Sequence, residues 1–106
     1  MALIIWHDSV REHLLKIFNY NIANVSERVA YAILNAVLSS VQQLERNPQK
    51  GAYEPLLEKR KYEYRRLVVR KHYKVIYFLI ENEAHIVAVW DARRNPQTLI
   101  ATIQTK

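Results

Sequence analysis

The spacing of apolar residues changes once along the chain, from a helical period to a strand period. Residues 2–6 (ALIIW) form a short apolar run that is typical of a strand. Apolar residues then recur at steps of three and four, which predicts one helix to about residue 24 and a second of about twenty residues ending at Asn47–Pro48. Because the joint between them is short, the two helices should form an antiparallel hairpin.

Two polar stretches predict where these helices begin. Ser9, with Glu12 three residues later, has the pattern of a capping box, in which the hydroxyl and the carboxylate each accept from an unpaired backbone amide. Residues 24–27 (NVSE) offer a second N-terminal cap just before the second apolar stripe.

Gly51 is the only glycine of the chain, and strand-like segments follow it. Three runs are rich in aromatic and β-branched residues, and the middle one is apolar on both faces, as in a central strand: residues 62–69, 73–80 and 85–90. The order of elements predicts a single α+β domain over residues 1–106. We expect an N-terminal strand, a helical hairpin and a three-stranded antiparallel meander, forming one sheet with the helices on one face. Residues 97–106 fit either a last short helix or a frayed end.

Charge is distributed unevenly along the 106 residues. The net charge is +6; residues 1–48 carry four basic and four acidic groups, whereas residues 49–106 carry twelve and six. Between Lys59 and Lys74 there are eight basic residues and one acid, Glu63. Such a block suggests an anionic partner, either a nucleic acid or an acidic protein segment, although a solvated basic face is also consistent with it.

Several kinds of chemistry are disfavoured by the composition. There is no cysteine, one glycine, and no pair of histidines at metal-ligand spacing, so neither a metal nor another cofactor is expected. The serines fall at predicted caps or within helices, where structural roles are common. No apolar run approaches the length of a membrane span and the first residues do not resemble a signal peptide, so we expect a cytoplasmic protein.

The candidate site is therefore the basic cluster, which should converge on an open sheet face. Its candidate binding residues are Arg65, Arg66, Arg70, Lys74, Arg93 and Arg94. Arginine forks bind phosphate or carboxylate in a bidentate manner. Arg65 and Arg66 are consecutive on one strand and should point to opposite faces. The nearby tyrosines, at positions 62, 64 and 73, either stack on bases or pack against the sheet.

Taken together, these segments resemble the RelE/ParE superfamily of toxins from bacterial type II toxin–antitoxin modules. The resemblance spans nearly the whole chain: a leading strand ending in tryptophan, SVREHLLKIFNYNIA, LERNP, YRRLVVRKHYKVIY and VWDARRNP. It implies a helical hairpin on an antiparallel sheet, and a cognate antitoxin protein that holds the toxin inactive.

The superfamily divides by function. RelE-like members are ribosome-dependent mRNA endonucleases, and on their pattern Lys74 and Arg94 fall at arginine positions, while the tyrosine position falls near Ile100. A YoeB-like pattern would add Glu54 as a base, but no histidine follows His85 to act as the acid. Under this alternative the catalytic residues would be Glu54, Lys74 and Arg94, and the partners would be the ribosome and mRNA.

The ParE-like branch resembles the chain more closely and implies inhibition of DNA gyrase by binding, with no catalytic residues. On this interpretation Arg65, Arg93 and Arg94 bind the target or acidic groups of the antitoxin, and they could also brace the sheet by pairing with Asp91 or with a backbone carbonyl. A degenerate toxin that only binds its antitoxin is a further alternative. The oligomeric state stays open.

Overall fold

A computed structural model describes residues 1–103 of the chain and confirms the α+β architecture. One five-stranded sheet has the order β1-β5-β4-β3-β2; β1 runs parallel to β5 and the other neighbours are antiparallel. The elements, in chain order, are β1 (Leu3–Trp6), α1 (Asp8–Asn24), α2 (Glu27–Gln42), β2 (Ala52–Tyr53), β3 (Arg65–Val69), β4 (Tyr73–Ile80), β5 (Glu83–Asp91) and α3 (Pro96–Ile103).

The predicted central strand is β4, which pairs with β3 on one edge and β5 on the other. One of its faces, with Val75 and Tyr77, packs under α1 and α2. The opposite face, with Ile76 and Phe78, packs against a second cluster that includes α3. Both faces are therefore covered, as the continuous apolar pattern of this segment predicted.

The two predicted helix caps have different outcomes. Ser26 caps α2, because its hydroxyl accepts from the Val29 backbone amide at 3.1 Å. The predicted cap at Ser9 is wrong: α1 begins at Asp8, and the Ser9 hydroxyl instead donates to the Val87 carbonyl at 2.9 Å. That carbonyl belongs to a bulge, since Ile76 pairs with Ala88 whereas Tyr77 pairs with Ile86, which leaves Val87 as an extra residue.

The second helix ends close to its predicted limit, and part of the tail is helical. The regular helix α2 ends at Gln42, and a single 3₁₀ turn over Gln43–Glu45 brings the chain close to the predicted end at Asn47. The tail forms a helix over residues 96–103, with Leu99 and Ile103 buried on the sheet face opposite α1 and α2. Residues 104–106 of that predicted segment lie outside the described part of the chain.

The loop before β2 is held by a side chain from the middle of β4. The Tyr77 hydroxyl donates to the Pro48 carbonyl at 2.8 Å and accepts from the Gly51 amide at 2.8 Å. A Cβ atom on Gly51 would lie 2.6 Å from that hydroxyl and 2.7 Å from the Arg66 carbonyl oxygen. Glycine is therefore required at this position, because the loop lies too close to Tyr77 and to the β3 backbone to admit a side chain. Burial of the Tyr77 ring raises the pKa of its hydroxyl, which keeps it protonated as a donor.

We expect Gly51→Ala to lower the free energy of unfolding by about 1–3 kcal/mol, because the new methyl group forces the Tyr77 hydroxyl and the β3 backbone apart. Urea denaturation at neutral pH measures this. Ser26→Ala, which removes a cap and should cost about 1 kcal/mol, is the comparison variant. A Gly51→Ala protein as stable as the parent would show that the loop moves freely away from β4.

Candidate functional site

Most of the predicted binding residues lie at one end of the sheet. In the register there, Tyr73 faces Asp91, and the Ala92 amide donates to the His72 carbonyl at 2.6 Å. The β3–β4 turn and the turn after β5 are therefore neighbours. We call this region, with its cations Arg70, Lys71, Lys74, Arg93 and Arg94, the cationic end of the sheet.

The β3–β4 turn presents its two cations to solvent. Arg70 and Lys71 both have left-handed backbone conformations, with φ of 49° and 67°. Two consecutive non-glycine residues in this region are unusual, and they direct the chain sharply from β3 into β4. Both side chains are exposed. This turn therefore supplies solvent-exposed positive charge to the cationic end.

Arg93 braces the end of β5. Its Nε and Nη2 atoms donate to the two carboxylate oxygens of Asp91 at 3.0 and 2.9 Å, and its backbone amide also donates to Asp91. The Arg93 hydrogen bond lowers the pKa of the Asp91 carboxyl and in turn raises the pKa of the guanidinium. The pairing with Asp91 expected from the sequence is confirmed for Arg93.

Arg94 covers an aromatic ring instead of pairing with an acid. Its guanidinium carbon lies 4.9 Å from the centre of the Trp90 ring, a cation–π distance. Trp90 is in turn the cross-strand partner of Lys74. Lys74, Trp90 and Arg94 thus lie side by side on one patch, and the Arg94 side chain is exposed to solvent.

Lys74 is tied to Glu54, the candidate base of the endonuclease alternative. The Lys74 ammonium lies 2.7 Å from Glu54 Oε1, and the other carboxylate oxygen accepts from the Leu56 amide at 3.1 Å. The Glu54 side chain is fully buried, whereas 21% of the Lys74 side chain is exposed. Both carboxylate oxygens of Glu54 are therefore engaged, and its charge is neutralised inside the protein.

Arg65 and Arg66 lie farther along β3 and bind the backbone of the edge segment that contains β2. Arg65 Nη1 donates to the carbonyls of Gly51 and Gln49 at 2.7 and 3.2 Å, and its guanidinium stacks 4.3 Å from the Tyr53 ring centre. Arg66 Nη1 donates to the Tyr53 carbonyl at 2.5 Å. The structure thus separates these two arginines from the cationic end and uses them to hold the sheet edge.

The three tyrosines near the basic block pack into the protein. Tyr64 and Tyr73 are almost fully buried, and the Tyr62 ring stacks on Phe78 with centres 4.0 Å apart. Their faces are therefore occupied by other side chains.

No group of three or more potential metal-ligating side chains occurs within residues 1–103, and no helix there is long and apolar enough to cross a membrane.

An exposed apolar groove runs between α1 and α2, and sequence reasoning missed it. We call it the helix groove; it has a volume of about 550 Å³ and its walls include Trp6, Leu15, Phe18, Tyr31, Leu34 and Leu38. The sequence does contain a sign of this groove, because Tyr31, Leu34 and Leu38 recur at helical spacing beside the core stripe of α2. Exposed apolar patches of this kind mark interaction surfaces.

The Asp91–Arg93 pair makes stability depend on pH in a defined direction. Because the folded pKa of Asp91 is lowered, its contribution is present above the unfolded value near 4 and is lost as pH falls through the folded pKa. We expect Asp91→Asn to cost about 0.5–1 kcal/mol at pH 7, the range of partly exposed ion pairs.

Urea titrations between pH 7 and pH 2 test this expectation, and the difference between Asp91→Asn and the parent should shrink toward zero at the acid end. Arg93→Gln should reproduce the loss at pH 7, and the double variant should lose little more than either single one. A constant difference across the pH range would rule out ionisation of Asp91 as its source.

Comparisons with known proteins agree with this geometry. The family model described as "ParE toxin of type II toxin-antitoxin system, parDE" matches residues 4–96. A solved structure, described as "Chromosomal ParDE TA system from P. aeruginosa", is similar with a TM-score of 0.70 and 15% sequence identity. The alignment covers 86% of this chain and 96% of that one. At this identity the likeness shows the fold alone. A search of curated protein sequences gave no match.

The family match extends from the first strand to the start of α3 and so includes every element of the sheet and both hairpin helices. The structural likeness covers a similar share of the chain. This chain belongs to the ParE toxin family of type II toxin–antitoxin systems.

Proposed function

We propose that this chain is a toxin that stops growth by binding DNA gyrase, and that a cognate antitoxin neutralises it. The observation that carries the choice of binding over cleavage is the burial of Glu54 in its ion pair with Lys74. On this proposal residues 1–106 act as a single toxin domain in the cytoplasm, where gyrase works.

Cleavage of mRNA would need groups that accept and donate protons at the scissile phosphate. Glu54 cannot be reached by a 2′-hydroxyl while its side chain is fully buried and both its oxygens are engaged. No tyrosine follows Tyr77 and no histidine follows His85, so the positions that supply the acid in the nuclease branches are empty of such groups. Without proton-transfer groups, the candidate residues that remain are cations, and cations can bind an anionic partner without catalysing a reaction.

The cationic end of the sheet is the surface that we assign to the target. Arg70, Lys71 and Arg94 are exposed there, and none of the ion pairs within residues 1–103 includes them. Uncompensated charges at a protein rim steer association with an anionic partner and set its orientation. Arg93 is held by Asp91 and shapes the turn that presents Arg94.

The helix groove is the surface that we assign to the antitoxin. Its lining is almost entirely apolar, with Arg11 as its one charged member, and Trp6, Leu15 and Tyr31 are each 41–49% exposed. An amphipathic helix that lays its apolar face into such a groove would bury this surface, a common mode of peptide recognition. An acidic polar face on that helix would also suit the basic toxin.

Purified toxin should inhibit DNA supercoiling by gyrase in a concentration-dependent manner, and Arg94→Glu should raise the half-inhibitory concentration at least about tenfold, or ~1.4 kcal/mol. Arg46→Glu is the matched control, because it makes the same charge change near the 3₁₀ turn that contacts the start of β1, at the other end of the sheet. Full supercoiling at every toxin concentration, with ribosome-dependent cutting of mRNA, would refute the proposal.

Antitoxin binding should depend on the helix groove and not on the cationic end. We expect Leu38→Glu, at a position 45% exposed, to weaken capture of the toxin by the antitoxin encoded beside it at least about tenfold and leave gyrase inhibition unchanged. Leu3→Glu, at a position 60% exposed on β1, is the control. Pull-down of the two co-expressed proteins measures this. Equal capture of both variants would place the antitoxin elsewhere.

A further inference from the structure

A second cavity, bounded by α1, the end of β5 and α3, adjoins the cationic end and shares Arg94 with it. Its volume is about 530 Å³, within the range of small-molecule sites. Lys16 and Tyr20 line it from α1, Trp90 and Arg94 from the end of β5, and Thr98 and Thr102 from α3. We call it the α1–α3 cavity. It differs from the helix groove because its walls combine charged, hydroxyl and aromatic groups.

Hydrogen-bond donors dominate the polar part of this cavity. Lys16 and Arg94 are exposed, and neither belongs to an ion pair within the described part of the chain. The only carboxylate in the lining is that of Asp91, and Arg93 already holds both of its oxygens. The cavity therefore has two uncompensated cations, which favours an anionic ligand.

The remaining walls suit a ligand with a planar ring. Tyr20 is 60% exposed and can contact a ligand in the cavity, whereas the Trp90 ring is already covered by the Arg94 guanidinium. At the base of the cavity the Tyr73 hydroxyl lies 3.4 Å from the Asn21 amide, which orients both groups. Proteins that hold a nucleobase without distinguishing which base it is usually do so by stacking it on an aromatic ring.

From these walls we propose that the α1–α3 cavity binds a small phosphorylated ligand of mononucleotide size. Lys16 and Arg94 hold the phosphate, and Tyr20 stacks on the base. An arginine fork and a lysine point charge together suit the three oxygens of a terminal phosphate. Because α1 and α3 are both in the lining, the ligand links them and stabilises the docking of α3 on the sheet.

Trp90 offers a direct readout of binding. The only other tryptophan, Trp6, lies in the helix groove, so Trp6→Phe leaves Trp90 as the single tryptophan, which can be excited selectively in the α1–α3 cavity. In this background, titration with adenosine monophosphate should change the emission of Trp90 in a saturable manner at millimolar concentration or below. The backbone amide resonances of Thr98 and Thr102 should shift over the same range.

Three substitutions test the assignment of the walls. Lys16→Gln and Arg94→Gln should each weaken binding of adenosine monophosphate at least about fivefold, since each removes one charged contact with the phosphate. Thr98→Phe should block the cavity by its size while leaving both charges in place. Arg46→Gln is the charge-matched control and should bind like the parent. Thermal unfolding of each variant without ligand shows whether it is folded.

Adenosine and inorganic phosphate separate the two halves of the ligand, and each should bind more weakly than the whole nucleotide. Phosphate that binds as tightly as adenosine monophosphate would overturn the assignment of a nucleotide. Absence of saturable binding at about ten millimolar nucleotide, or equal binding by the parent and Lys16→Gln, would overturn the site itself. These outcomes do not depend on whether the chain inhibits gyrase.

Discussion

Strand β4 is paired on both edges and covered on both faces, and each layer of the protein is built against it. Its two faces carry Val75 and Tyr77 toward the helical hairpin and Ile76 and Phe78 toward α3. Two polar side chains then extend from β4 to the edge segment: Tyr77 holds the backbone at Gly51, and Lys74 holds Glu54. The edge is thus fixed by contacts on opposite faces of one strand.

This arrangement divides the positive charge of the chain into two groups. Arg65 and Arg66 bind backbone carbonyls of the edge segment, Lys74 neutralises a buried acid, and Arg93 is held by Asp91. These cations stabilise the fold. Arg70, Lys71 and Arg94 have no carboxylate partner within residues 1–103 and can act on other molecules. Composition alone cannot tell which cations stabilise the fold and which are available to a partner, because this depends on which acidic groups the fold brings close to each cation.

Apolar periodicity predicted both hairpin helices, the central position of β4 and the meander, since these depend on patterns within single segments. The cap at Ser9 failed because the bulge carbonyl of Val87 that its hydroxyl binds comes from a strand 78 residues away. The Arg93–Asp91 pair was predictable because its members are two residues apart. The burial of Glu54 and the α1–α3 cavity were not, since both arise where distant segments meet.

The most direct test of the central claim, binding of gyrase instead of cleavage of mRNA, is to measure macromolecular synthesis in bacterial cells just after brief expression of this chain alone. Labelled thymidine and methionine are followed in parallel from the same culture. We expect thymidine incorporation to fall first and methionine incorporation to decline only later. An early fall of methionine incorporation, with thymidine incorporation intact, would contradict the account and return Glu54, Lys74 and Arg94 to the status of catalytic candidates.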